Sequence, residues 1–127
     1  MNGELSATKK TSDKIKLQPR LRILRGKEIA FGPGKADLLE HIRGTGSISG
    51  AATAMGISYM RAWSLVKTMN ECFNEPLVIA VRGGHTKGGA ELSSAGIKVL
   101  AAYRKMESDS VKAVSPAWRQ LKTLLRK

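Results

Sequence analysis

The sequence predicts a mainly helical α+β domain in which small β-hairpins accompany the helices. Three observations carry this expectation. Apolar residues recur at helical spacing in several stretches, with Leu38, Leu39 and Ile42 in one and Ala62, Leu65, Val66, Met69 and Phe73 in another. Shorter stretches alternate with a period of two, and glycine- or serine-rich breaks separate the two kinds. At 127 residues, 42% hydrophobic and 5% aromatic, the chain has material for one core built mostly of Leu, Ile, Val, Ala and Met.

Taken in order, residues 1–16 are polar and lysine-rich and read as a disordered basic arm. In "LQPRLRILRGKEIAF", Leu17, Pro19, Leu21 and Ile23 alternate with Gln18, Arg20 and Arg22. Gly26 supplies a turn before Glu28–Phe31, so a small hairpin is expected, ended by "GPGK". A first helix follows near Lys35–Arg43 and is broken by "GTG". Ser47 or Ser49 can cap a second helix reaching about Met55, because a serine hydroxyl accepts the orphan amides of a first turn. Ser58 can cap a third, stopped by "NEP" at Asn74–Pro76.

"LVIAVRGGHTKGGAELS" then reads as a strand, a basic glycine-rich loop and a short strand. Ser93-Ser94 opens a fourth helix to about Glu107. Ser115-Pro116 puts serine at a cap and proline in the first turn of a fifth, whose stripe is Trp118, Leu121 and Leu125. The expected division is a basic arm at 1–16, a domain at 17–110 and a final helix at 111–127, a candidate for dimerisation.

Charge narrows the classes of partner. Twenty-two Lys and Arg against ten Asp and Glu leave +12. Residues 1–17 hold Lys9, Lys10, Lys14 and Lys16 against Glu4 and Asp13, so +10 belongs to the body. Such an excess attracts polyanions, since each phosphate neutralised releases counterions. Nucleic acid is the first partner implied, and an anionic membrane surface the second. The longest apolar run, Leu77–Val81, is far below the ~20 residues of a membrane helix, and no apolar signal segment opens the chain. A cytoplasmic chain with no membrane partner is expected.

Enzyme chemistry finds little support. "RGGHTKGGA" contains neither GxGxxG nor GxxxxGK[ST] and lies between strands. Cys72 has no histidine near it in sequence, and one cysteine excludes an internal disulfide. Cys72, His41 and His85 are a poor inventory for zinc, so neither a metal nor a cofactor is expected.

"GSISGAATAMGISYMRAW" (Gly46–Trp63) holds the sharpest pattern. Ala51 and Ala52 permit two helices to cross closely, Gly56 supplies a left-handed turn, and Ile57, Ala62 and Leu65 lock the second helix. That is the pattern of a helix-turn-helix. The helix at 58–73 would then present Ser58, Tyr59, Met60, Trp63, Ser64 and Lys67, with Arg61 at the margin. The basic hairpin one helix downstream, 82–90 with Arg82, His85 and Lys87 near its tip, suits a wing lying along a phosphate backbone.

On these segments, together with "FGPGKADLLEHI", "MNECFNEPLV", "GGHTKGGAELSSAG" and "LAAY", the chain resembles the DNA-binding domain of the ModE family of molybdate-responsive regulators, and more distantly the LysR-type regulators. The resemblance runs from about Leu21 to Tyr103. It implies a winged helix-turn-helix that binds palindromic operators as a homodimer, with a recognition helix at 58–73 and a wing at 82–90. The chain leaves no room for the C-terminal oxyanion-binding domains of longer relatives, so molybdate binding by it is not expected. A non-specific architectural DNA-binding protein, or a winged-helix module for protein partners, would fit the same residues.

Overall fold

The computed structural model describes residues 14–81 and 89–126. The basic arm, apart from Lys14 to Lys16, lies outside them. By contact, residues Arg20–Asp109 form one unit, and the described residues 14–19 and 110–126 fall in another.

Two strands open the first unit, β1 (Ile23–Arg25) and β2 (Glu28–Phe31), paired antiparallel with Arg25 opposite Glu28 and a bulge beside Ile23. Gly26 takes φ 62° while Lys27 keeps a negative φ. This is the pattern of a type II′ turn, whose twist matches that of the strands.

Three helices follow: α1 (Pro33–Thr45), α2 (Ile48–Met55) and α3 (Tyr59–Cys72). Pro33 stands in the first turn of α1, where its missing N–H costs nothing. Gly46 closes α1 at φ 79°, its N–H donating to the Ile42 carbonyl at 2.8 Å. Ser47, rather than Ser49, caps α2, its hydroxyl accepting from the Gly50 N–H at 2.8 Å.

The second hairpin pairs β3 (Val78–Val81) with β4 (Gly89–Leu92). Gly89 and Ala90, the end of the expected wing, thus belong to a strand, and its residues 82–88 lie outside the described residues. The Ala90 N–H donates to the Gly46 carbonyl at 2.9 Å, and Ser47 bridges Gly89, which ties β4 to the corner between α1 and α2.

A single helix, α4, runs Ser94–Lys122 where the sequence predicts two. Ser93 caps it, accepting from the Gly96 N–H at 3.0 Å and donating to the Pro76 carbonyl at 2.6 Å. Pro116 sits inside this helix and does not open a new one. Proline in a helix interior forfeits one backbone bond and costs about 3 kcal/mol. The Lys112 carbonyl it strands lies in an exposed stretch that water can reach, and nothing between residues 108 and 115 breaks the helix before it.

The core joins all of these elements except the exposed β1. Phe31, Leu38, Leu39, Ile42, Ala51, Ala62, Met69 and Leu77 have no exposed surface. Phe31 meets Tyr103 edge-on at 5.1 Å and Phe73 at 6.0 Å between ring centroids. The buried Tyr103 hydroxyl donates to the Leu21 carbonyl at 2.7 Å, so the apolar core leaves no phenol unpaired.

Candidate nucleic-acid interface

The elbow between α2 and α3 is closed by backbone bonds. Gly56 adopts φ 70° and ψ 29°; its N–H donates to the Thr53 carbonyl at 3.1 Å, and the Ile57 N–H donates to the Ala52 carbonyl at 3.0 Å. This pair of bonds makes a Schellman motif, which needs a left-handed residue that glycine supplies without strain. Ala51 and Ala52 are buried at the crossing and Ile57 is half-buried against the core.

Ser58 caps α3, its hydroxyl accepting from the Arg61 N–H at 3.0 Å. Behind the helix, Ala62, Val66 and Met69 are buried, with Leu65 packed beside them. In front, Ser58, Tyr59, Met60, Arg61, Trp63, Ser64 and Lys67 are all exposed. Tyr59, Met60 and Trp63 are 50%, 76% and 46% exposed, three large apolar side chains together on one face. Among the described residues Lys67 makes a long, exposed pair with Glu71, 3.8 Å apart and one turn on. Such a pair contributes little and yields readily to a stronger anion.

Between α3 and the second hairpin lies a groove of about 470 Å³, bordered by Tyr59, Trp63, Lys67, Val78 and Ala90. Asn70 spans it at the base. Its side-chain oxygen accepts from the Leu77 N–H at 2.8 Å and the Val78 N–H at 3.2 Å, while its amide donates to the Val78 carbonyl at 3.1 Å. The strand leading to the proposed wing is thereby pinned to the helix. Arg82, His85 and Lys87 lie outside the described residues.

Three functional details escape sequence reasoning. Asn70 gives one signal, a poor helix former set among apolar neighbours near the end of a helix. Lys35, expected as a helix-start residue, is buried, and its amine donates to the Ile29 carbonyl. Burial holds that amine below its ordinary range, against smaller opposing influences of Cys72 and Glu28. Arg104 meets Asp37 at 2.8 Å, Glu40 at 2.9 Å and Glu107 at 2.9 Å, stapling α4 to α1. Burial works against its charge, but hydrogen bonds with Asp37, Glu107 and Glu40 outweigh that and hold the guanidinium more firmly protonated than usual.

Among the described residues no group of His, Cys, Asp and Glu could hold a metal ion, and no helix is long and apolar enough to cross a membrane.

With this geometry, the chain is similar to several known proteins. It is 44% identical over 85 residues to the molybdenum-pterin-binding protein MopB of Rhodobacter capsulatus, covering 67% of this chain and 32% of that protein. It is 42% identical over 78 residues to the molybdenum transport protein ModE of Azotobacter vinelandii, covering 61% and 29%. Against the DNA-binding transcriptional dual regulator ModE of Escherichia coli it is 39% identical over 71 residues, covering 56% and 27%. The chain thus spans about a third of the length of the curated relatives it matches. No family model matches it.

Among solved structures, the CbnR DBD–DNA complex superposes with a TM-score of 0.53 over 69% of this chain and 95% of that one, at 14% identity, a likeness of fold. The full-length LTTR LysG of Corynebacterium glutamicum with bound effector Arg gives 0.51 at 25% identity, over 72% of this chain and 29% of that one. The elbow at Gly56, the helix it aims and the hairpin pinned beside that helix accordingly make a winged helix-turn-helix, the fold of the LysR-type DNA-binding domain, in a chain whose sequence is similar to part of the ModE regulators.

Proposed function

We propose that this chain is a sequence-specific double-stranded DNA-binding regulator of transcription, working in the cytoplasm without catalysis or cofactor. One observation carries the reading. A helix braced from behind by Ala62, Val66 and Met69 keeps Tyr59, Met60, Ser64 and Lys67 exposed, beside a hairpin fastened to it by Asn70. An α-helix fits the major groove, where each base pair shows a distinct set of donors and acceptors.

In this reading Ser58, Tyr59, Met60, Ser64 and Lys67 face base edges, and Arg61 and Trp63 approach base or sugar-phosphate. Arg82, His85 and Lys87 meet the flanking backbone or minor groove, and the N-terminal lysines add non-specific attraction. The net charge of +12 supports the same partner. Direct molybdate binding by this chain is not part of the proposal.

Selection of bound sequences from a random duplex pool tests it. A defined motif is expected, preferred over random DNA by 10³-fold or more (about the lower bound for specific binders). Ser64→Ala or Tyr59→Ala should change the selected motif, whereas Lys87→Ala should weaken binding to every sequence and flatten the salt dependence. Equal affinity for all duplexes would replace this reading with an architectural one, and no duplex binding even at low salt would point to a protein partner.

A further inference from the structure

On the flank of α3 away from the second hairpin lies a cleft of about 220 Å³, lined by Arg20, Arg22, Gly32, Gly34, Lys35 and Arg61 among others. We propose that Arg20, Arg22 and Arg61 grip the DNA phosphate backbone on the side of the major groove opposite the wing. The proposal rests on the reading of α3 as a major-groove helix.

Helical spacing shows why one helix has two such sides. Tyr59, Trp63, Val66 and Asn70 follow one another at i, i+4, i+7 and i+11 and turn toward β3 and β4, whose groove they line. Arg61 and Leu65, at i and i+4, line the cleft beside the first hairpin instead. Met60 and Ser64, which line neither the groove nor the cleft, are exposed between these flanks, and Lys67 stands at the edge of the groove. A helix lying in a groove ~12 Å wide has a phosphate strand on either hand. The second hairpin can meet only one of them, and the arginine cleft is placed for the other.

The chemistry of the cleft suits that strand. Among the described residues every ion pair involves Lys67, Arg104 or Lys105, so none of their carboxylates neutralises Arg20, Arg22 or Arg61. Three guanidinium groups lining one concavity repel each other unless an anion joins them, and the planar fork of each matches phosphate oxygens. Gly32 brings Arg22 close, since a Cβ there would stand 3.4 Å from the Arg22 Cγ; a Cβ at Gly34 would meet open space. Lys35 is not counted among the ligands, because its amine is engaged with the Ile29 carbonyl.

The test is salt titration of the full chain on its selected duplex, comparing wild type, R20A/R22A and R20K/R22K. Each phosphate contact contributes about 0.9 to the slope of log affinity against log salt. R20A/R22A should therefore lower the slope by about two, equally on selected and random DNA, while the lysine pair keeps most of it. As a second measurement that needs no variant, neutral methylphosphonates are placed singly along each strand of the duplex. Substitution at one or two phosphates on the strand edge not reached by the wing should weaken wild-type binding. An unchanged slope in R20A/R22A, or no sensitive phosphate on that edge, overturns the proposal while wild-type DNA binding leaves the regulator reading intact. A wild type that binds no duplex overturns both.

Discussion

The side chain of Asn70 satisfies both backbone groups of Val78, accepting from its N–H at 3.2 Å and donating to its carbonyl at 3.1 Å. With the further bond from the Leu77 N–H at 2.8 Å, a helix and a strand eight residues apart are locked at one angle. A β-strand has fixed hydrogen-bonding repeats, so an amide that imitates its neighbour holds its register.

Asn70→Ala should accordingly cost about 2 kcal/mol, since each of three bonds contributes roughly 0.5–1.5 kcal/mol and partly buried backbone groups lose a partner. Thermal or urea unfolding measures it. A loss under about 0.5 kcal/mol (a typical surface substitution) would show that the clasp does not hold the strand.

Two glycines should respond to alanine for different reasons. At Gly56 there is open space, but φ is +70°, so Gly56→Ala should cost about 1–2 kcal/mol from backbone strain alone. At Gly96 the backbone is ordinary, yet a Cβ would lie 2.2 Å from the Leu77 carbonyl oxygen. Gly96→Ala must push α4 off the Leu77 backbone just before β3 and should cost about 3 kcal/mol or more. Equal unfolding midpoints for the two variants would contradict this ordering.

Tyr103→Phe removes the bond to Leu21 and should cost about 1 kcal/mol at neutral pH. Its pH dependence follows from burial, which raises the phenol above its ordinary value near 10, with Glu107 adding to the effect. The unfolded chain then loses this proton first and binds fewer protons than the folded one, so stability falls as pH rises past about 10. The phenylalanine variant lacks that loss, and its deficit should shrink in alkali. A deficit that stays constant from pH 7 to about 11 would count against it.

The C-terminal part of α4 suggests how two copies pair. Val111, Val114, Trp118 and Leu121 on the helix, with Leu125 just past its end at Lys122, are spaced 3, 4, 3 and 4, the a/d rhythm of a coiled-coil seam. Val114, Leu121 and Leu125 are 45%, 52% and 41% exposed. We expect a symmetric dimer that uses this stripe, with the edges of the first hairpin as a further surface. Sedimentation at tens of micromolar (about the range in which a weak dimer populates) should show the dimer in wild type and a monomer for Leu121→Glu. A monomeric wild type would remove the proposal.

Helix positions, the elbow and the serine caps were legible in the residues, because each depends on neighbours within a turn or two. Spacing of apolar side chains marks which face is buried, Ser47 and Ser58 reach amides three residues on, and Gly56 answers a purely local demand on φ. The excess of cations was legible too, being a sum that needs no geometry. Proline is a local signal that misled: Pro116 reads as a helix start, yet the helix runs through it.

What only folding decided are meetings between distant residues. Arg104 finds Asp37 across 67 positions, and Tyr103 finds Leu21 across 82. Lys35 loses its solvent, Asn70 becomes a clasp, and Arg20 and Arg22 come to share a cleft with Arg61 only once helices and hairpins pack. Neither periodicity nor composition encodes such pairings, because burial and electrostatic company depend on which surfaces meet in three dimensions.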